Sequence, residues 1–196
     1  MLERIRAIIE AEAAAVRSIP IDASFEKAVA IIHRQVHEKG GKLVTSGMGK
    51  AGQIAHNIAT TFSSTGTPAA YLHPSEAQHG DLGILQPNDV MLVISNSGKT
   101  REIIELIDLK NNLYAGVPVI VITSQGDSPL AGRADCTLLT GNPAEVCTLG
   151  LTPTTSTTIM TVIGDALVVM LMEKIGRASV GKECPSLCRS RWSPYH

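Results

Sequence analysis

The sequence has no uninterrupted apolar run near the roughly 20 residues that a membrane span requires. A membrane-spanning protein is not expected. Its first residues, Met1-Leu2-Glu3-Arg4, lack the apolar segment and cleavage site of a secretory leader. An excess of one charge is equally absent, with 17 Lys and Arg against 18 Asp and Glu, a formal net charge of −1 and no basic stripe. That balance argues against nucleic acid or an anionic membrane as the main partner and favours a small molecule. Cysteine is scarce: Cys136, Cys147, Cys184 and Cys188 are too few and too unevenly placed for a disulfide framework in a chain this long. They read as reduced thiols in a cytosolic protein. Cys184 and Cys188 have the spacing of half a zinc site, but only His196 follows them, so no metal is expected.

What the chain does have is 44% hydrophobic and 18% charged residues, with 17 Gly and 10 Pro, the make-up of a soluble globular fold. Its 196 residues fit one domain with a sizeable core. Leu2, Ile5, Ile8, Ile9 and Ala13 form an apolar stripe that predicts a helix over 2–17, closed by Pro20. A second helix is capped by Asp22 or Ser24, carries Phe25, Val29, Ile32 and Val36 on one face, and stops at Gly40-Gly41. A regular alternation follows. Apolar runs at 42–46, 69–73, 90–95, 117–123 and 136–139 predict strands, and helices are expected over 50–63, 102–113, 129–134 and 155–175. The runs lack polar alternation, as strands do when a parallel sheet is covered on both faces. The expected fold is an α/β three-layer sandwich with two helices ahead of the sheet. In such sheets ligands bind beyond the carboxyl ends of the strands, which directs attention to the loops after Ser46, His73, Ser95, Thr123 and Leu139.

Gly47-Met48-Gly49-Lys50-Ala51-Gly52 follows a strand, opens a helix and has the G-x-G-x-x-G spacing of dinucleotide-binding turns. A ribose-binding carboxylate is missing from the end of the next strand, where Tyr71-Leu72-His73-Pro74 stands, so the same glycines also read as a tight turn that packs helix on strand. Ser95-Asn96-Ser97-Gly98-Lys99-Thr100 brings hydroxyls and backbone donors to another helix start, an arrangement suited to a phosphate monoester. It ends like a phosphate-binding P-loop, but Val93 stands where that loop needs its first glycine. His79, in Ser75-Glu76-Ala77-Gln78-His79-Gly80-Asp81, reads as either a surface residue or an acid/base group. Glu102 either complements the dipole of its helix or takes part in chemistry, and Glu145 is an acid in an otherwise uncharged loop. The hydroxyl run 152–158 should cap the last helix and face the same cleft or a subunit interface.

Together, 46–52, 73–83, 94–98, 151–158 and 164–167 resemble, in order and spacing, the sugar isomerase (SIS) domain of D-arabinose 5-phosphate isomerases. The resemblance runs from about residue 42 to 175. It implies a five-stranded parallel flavodoxin-like sheet, a homotetramer, no cofactor, and interconversion of D-ribulose 5-phosphate with D-arabinose 5-phosphate, a precursor of the lipopolysaccharide sugar Kdo. It places the family's catalytic groups on Lys50, His79, Glu102 and Glu145, and its phosphate-binding set on Ser46, Gly49, Ser95, Asn96, Ser97 and Thr100. Two features depart from the family: Lys99 replaces the usual Glu or Gly, and the H-P-G-G segment that carries a further catalytic histidine is absent. Full-length members add two cystathionine-β-synthase-type domains, and this chain reads as a form without them. Residues 1–176 are expected to be a single domain. Residues 177–196 read as a divergent tail, poorly ordered or packed only through Leu187 and Trp192. The competing functions are a sugar-phosphate-binding regulatory module and, more distantly, a dinucleotide-dependent oxidoreductase. Two amphipathic N-terminal helices and a last helix apolar on nearly all sides present more apolar surface than one subunit covers, which favours assembly.

Overall fold

Five of the apolar runs become strands: β1 Leu43–Gly47, β2 Ala69–Tyr71, β3 Val90–Ile94, β4 Val119–Thr123 and β5 Cys136–Leu139. They form one all-parallel sheet in the order β2-β1-β3-β4-β5, the flavodoxin-like order of doubly wound folds. The computed structural model describes residues 1–176. The expectations for the tail, including Leu187, Trp192, Cys184, Cys188 and His196, lie outside the described residues.

The helices are α1 Leu2–Arg17, α2 Ala23–Ile32, α3 Gly49–Ser64, α4 Pro74–Ala77, α5 Arg101–Leu113 and α6 Thr155–Ile175. Asp22 caps α2 as expected, accepting the Ser24 N–H at 2.8 Å. Beyond Ile32 the same helix widens into a π-helical turn over His33–Glu38. The 129–134 helix is reduced to a single 3₁₀ turn, Ala131–Arg133.

Because side chains alternate along a strand, each central strand feeds two cores. Leu43, Leu92, Ile94, Ile120, Ile122 and Leu138 pack on one face with residues of α2, α3 and α6. Val44, Met91, Val93, Val119 and Val121 pack on the other with Leu72, Leu85 and the Ile103, Leu106 and Ile107 face of α5. Every residue of β1, β3 and β4 is buried, which is why their sequences read as unbroken apolar runs. At the amino end of the sheet Asp89, 1% exposed, accepts the Lys42 ammonium at 2.6 Å and the N–H groups of Lys42 and Gln86 at 2.8 and 2.7 Å. This cluster ties the start of β1 to the start of β3.

Helix α6 has 21 residues, and an 18-residue stretch of it with a mean hydropathy of 1.6 makes it long and apolar enough to cross a membrane by length and composition, although Asp165 interrupts the run. In the fold Ile159, Ile163, Leu167 and Leu171 are buried, and α6 packs on α1, α2 and α3. The run 69–73 yields only three strand residues because Pro74, which fits the first turn of a helix, opens α4 directly afterwards.

Candidate active site

Three helices point their N-termini at the carboxyl edge of the sheet: α3 after β1, α5 after β3, and α6 after the long loop that follows β5. The first N–H groups of each helix have no intrahelical partner, so this edge is electropositive. A cleft of about 420 Å³ opens there, lined by Lys50, Ser95, Asn96, Ser97, Thr100, Glu145 and Ser156, with Met48, Ile94 and Met160 among its apolar walls. It sits where the strand order reverses between β1 and β3.

The loop after β3 is fixed by its backbone. The Asn96 carbonyl accepts the Ser124 N–H at 3.0 Å and the Ser124 and Thr123 hydroxyls at 2.8 and 3.1 Å, which locks the loop to the end of β4. Gly98 has φ +61, and a Cβ there would fall 2.4 Å from the Ser128 Cβ, so only glycine fits. Ser95 is buried and its hydroxyl shares a 2.8 Å hydrogen bond with that of Thr100. The Asn96 and Ser97 side chains are exposed beside them, and Ser97 Oγ accepts the Lys99 N–H at 3.3 Å. Hydroxyls and an open helix N-terminus thus line one wall.

Opposite stands Glu145. Its Oε2 accepts the Thr154 N–H at 2.7 Å, the Thr154 hydroxyl at 3.0 Å and the Ser156 N–H at 3.3 Å, so the carboxylate caps the start of α6. Burial pushes its pKa up, but the Ser156 hydroxyl and these donors outweigh it and hold the carboxyl below the usual range. Glu145 therefore faces the cleft ionised at neutral pH. Two residues on, Cys147 is lowered to about 6 by the hydroxyl and N–H of Thr152 and by the N–H groups of Leu149 and Leu151.

The structure brings Lys50, Ser95, Asn96, Ser97, Thr100 and Glu145 together. It does not bring all the expected residues with them. Ser46 is fully buried, and its hydroxyl donates to the Leu72 carbonyl at 2.7 Å, stitching β1 to the chain after β2. Gly49, at φ +56, is the first residue of α3 and shapes the turn that presents Lys50; like Ser46 it is outside the lining. Glu102 is half-buried in the first turn of α5, also outside the lining. His79 is exposed in the turn after α4, away from this chain's own cleft wall. Among the described residues no group of His, Cys, Asp and Glu is arranged to hold a metal.

The glycine-rich turn shows its packing role directly. A Cβ on Gly52 would lie 2.5 Å from the Gly47 carbonyl oxygen and 2.8 Å from the Tyr71 hydroxyl, and that hydroxyl donates to Gly47 at 2.9 Å. Gly52 therefore lets α3 lie close against β1. Thr154 and Ser156, neither singled out by its place in the sequence, hold Glu145; the hydroxyl run 152–158 is the signal that points to them.

Fold and cleft together define a doubly wound α/β protein with a lysine- and hydroxyl-lined cleft at the sheet's switch point. The chain belongs to the SIS domain family, whose model matches residues 36–170. It is 50% identical over 136 residues to the arabinose 5-phosphate isomerase KdsD of Shigella flexneri, a match covering 69% of this chain and 41% of that protein. The Francisella tularensis KdsD is 46% identical over 153 residues, or 78% of this chain and 46% of the relative. The chain thus spans less than half the length of these relatives. Among solved structures, a Bacteroides fragilis protein assigned to phosphosugar isomerisation and capsule formation is 64% identical with a TM-score of 0.90, covering 91% of this chain and 93% of that one. An Escherichia coli CFT073 protein in complex with arabinose 5-phosphate is 34% identical with a TM-score of 0.83, covering 89% and 91%.

Proposed function

We propose that the protein is an aldose–ketose isomerase that interconverts D-ribulose 5-phosphate and D-arabinose 5-phosphate through an enediol, with residues 1–176 as the unit that carries the activity. The observation that carries this reading is an ionised carboxylate, Glu145, in the same cleft as a lysine and a hydroxyl-lined helix N-terminus. The isomerases among its relatives, and the related structure with arabinose 5-phosphate bound, support the choice of sugar.

The phosphate sits on the 95–100 loop at the start of α5, held by the Ser97 and Thr100 hydroxyls and backbone N–H groups. A carboxylate removes the proton from the carbon beside the carbonyl and the proton returns to its neighbour, so the reaction needs no redox cofactor. Glu145, being ionised, is the base-competent group, and Glu102, outside the lining but two residues beyond the cleft residue Thr100, is the candidate for the second acid/base residue. Lys50 offsets the negative charge that develops on the enediolate oxygen. The product feeds bacterial surface-carbohydrate synthesis in the cytosol.

The working form is an oligomer, a tetramer in our reading. Leu2, Ile5 and Ile9 are exposed along α1, Val169 and Met170 along α6, and an apolar groove of about 970 Å³ runs between α2 and α6. Assembly also gives His79, exposed and outside its own chain's cleft lining, a route to a bound sugar.

The direct test follows arabinose 5-phosphate formation from ribulose 5-phosphate by the purified protein. Turnover that survives undiminished in a Glu102→Gln, Glu145→Gln double variant removes both carboxylates from the mechanism. Thermal stabilisation by the sugar phosphate with no turnover replaces the enzyme with a binding module.

A further inference from the structure

The loop that carries Glu145 connects β5 to α6 without regular secondary structure from residue 140 to 154, so a few tethers set the carboxylate's position. One of them leaves the loop altogether. The N–H of Val146, the peptide next to Glu145, donates to the Thr155 hydroxyl at 3.1 Å. That hydroxyl in turn donates to Glu12 Oε1 on α1 at 2.9 Å, across 143 residues of sequence.

Thr155 departs from its neighbours in this. Thr157, Thr158 and Thr161 give their hydroxyls to backbone carbonyls three or four residues back, the usual local habit of helical threonines. Thr155, 1% exposed, instead bridges the loop to another helix. Glu12 is equally unusual. It lies with Ala15 and Val16 on the one face of α1 that meets the core, and its second oxygen, Oε2, is cut off from solvent without a hydrogen-bond partner among the described residues. A buried carboxylate oxygen left unpaired is unfavourable, and an apolar residue would dock α1 on α6 without that cost. What the carboxylate adds is a grip on Thr155.

We infer that Glu12 and Thr155 are positioning residues for Glu145, acting through a Glu12–Thr155–Val146 relay that fixes the catalytic loop on the N-terminal helix. The inference rests on the isomerase reading for its kinetic consequence but not for its structural one. It assigns to α1, which is otherwise almost wholly exposed, a part in forming the site.

The test compares Glu12→Ala and Thr155→Val with Glu12→Gln and Thr155→Ser, which keep the acceptor and the hydroxyl. Val16→Ala is the control that loosens α1 without touching the relay. For Glu12→Ala and Thr155→Val, kcat for ribulose 5-phosphate falls about tenfold with KM within about twofold, as a misplaced base requires. The two conservative variants and Val16→Ala keep kcat. A second readout is independent of turnover: the pH midpoint of iodoacetamide alkylation at Cys147, followed by peptide mass spectrometry. It starts near 6 and moves toward the ordinary thiol value of about 8.5 in the two disruptive variants. Unchanged kcat in both, or an equal loss in Val16→Ala, overturns the inference. If the wild-type protein shows no turnover, the isomerase reading fails and the alkylation midpoint alone decides: a shift in Glu12→Ala and Thr155→Val but not in Glu12→Gln upholds the relay, and no shift ends it.

Discussion

Glu145 is a carboxylate pulled in two directions, up by burial and down by the Ser156 and Thr154 donors, with the donors prevailing. A carboxyl whose folded-state pKa lies below its unfolded one stabilises the fold above the unfolded value, and that contribution is lost as pH falls through the folded one. The limb of the kcat/KM profile that belongs to Glu145 in the free protein should therefore lie below the ordinary glutamate value of about 4.3, and a pH–rate profile checks it. Replacing Glu145 by Gln should lower kcat by about a hundredfold or more with little change in KM, measured by steady-state kinetics. Cys147 offers a separate check on the same loop. Its alkylation midpoint should sit near 6, and Thr152→Val should raise it, because the Thr152 hydroxyl is the leading cause of the depression.

Helix α3 can carry Lys50 to the cleft only because Gly52 lets it lie against β1. Gly52→Ala would press a methyl group onto the Gly47 carbonyl and the Tyr71 hydroxyl, and should destabilise the protein by about 2 kcal/mol in denaturant unfolding while lowering kcat. At the far end of the sheet, Asp89→Ala would strand the Lys42 ammonium and two N–H donors, at about 3 kcal/mol by the same measurement and with KM unchanged. The central strands were legible because burial on both faces writes itself as unbroken apolar runs such as Val90–Ile94. Helix α4 was not, since four residues beginning with proline show no helical period. The π-helical turn at His33–Glu38 leaves the apolar spacing of Phe25, Val29, Ile32 and Val36 intact and so escapes notice. Lys50, Glu145 and the 95–100 loop could be read from their places after strands; Ser46 looked equivalent but proved a strut, because a sequence does not say which way a hydroxyl turns. Glu12 gave no signal at all, its partner lying 143 residues away.

For the whole molecule, the exposed apolar line along α1 and the groove between α2 and α6 make association the expected state. Light scattering at micromolar concentration should give a multiple of the 20.7 kDa chain mass, and Ile5→Glu with Ile9→Glu should reduce it. Helix α6 has a further consequence, for the order in which the protein is made. It supplies Ile159, Ile163, Leu167 and Leu171 to the core that covers Leu92, Ile120 and Leu138, and it is the last described helix to leave the ribosome. Until it emerges, the sheet face that α2 and α3 cover lacks its third helix, leaving apolar surface of the kind that recruits chaperones or aggregates. Polypeptides released at about residue 150 should accumulate as insoluble material. Since α6 also brings Thr154 and Ser156 to Glu145, the nascent chain gains the donors that hold Glu145, the proposed base, in the same event that closes its core, and no earlier translation intermediate should be active.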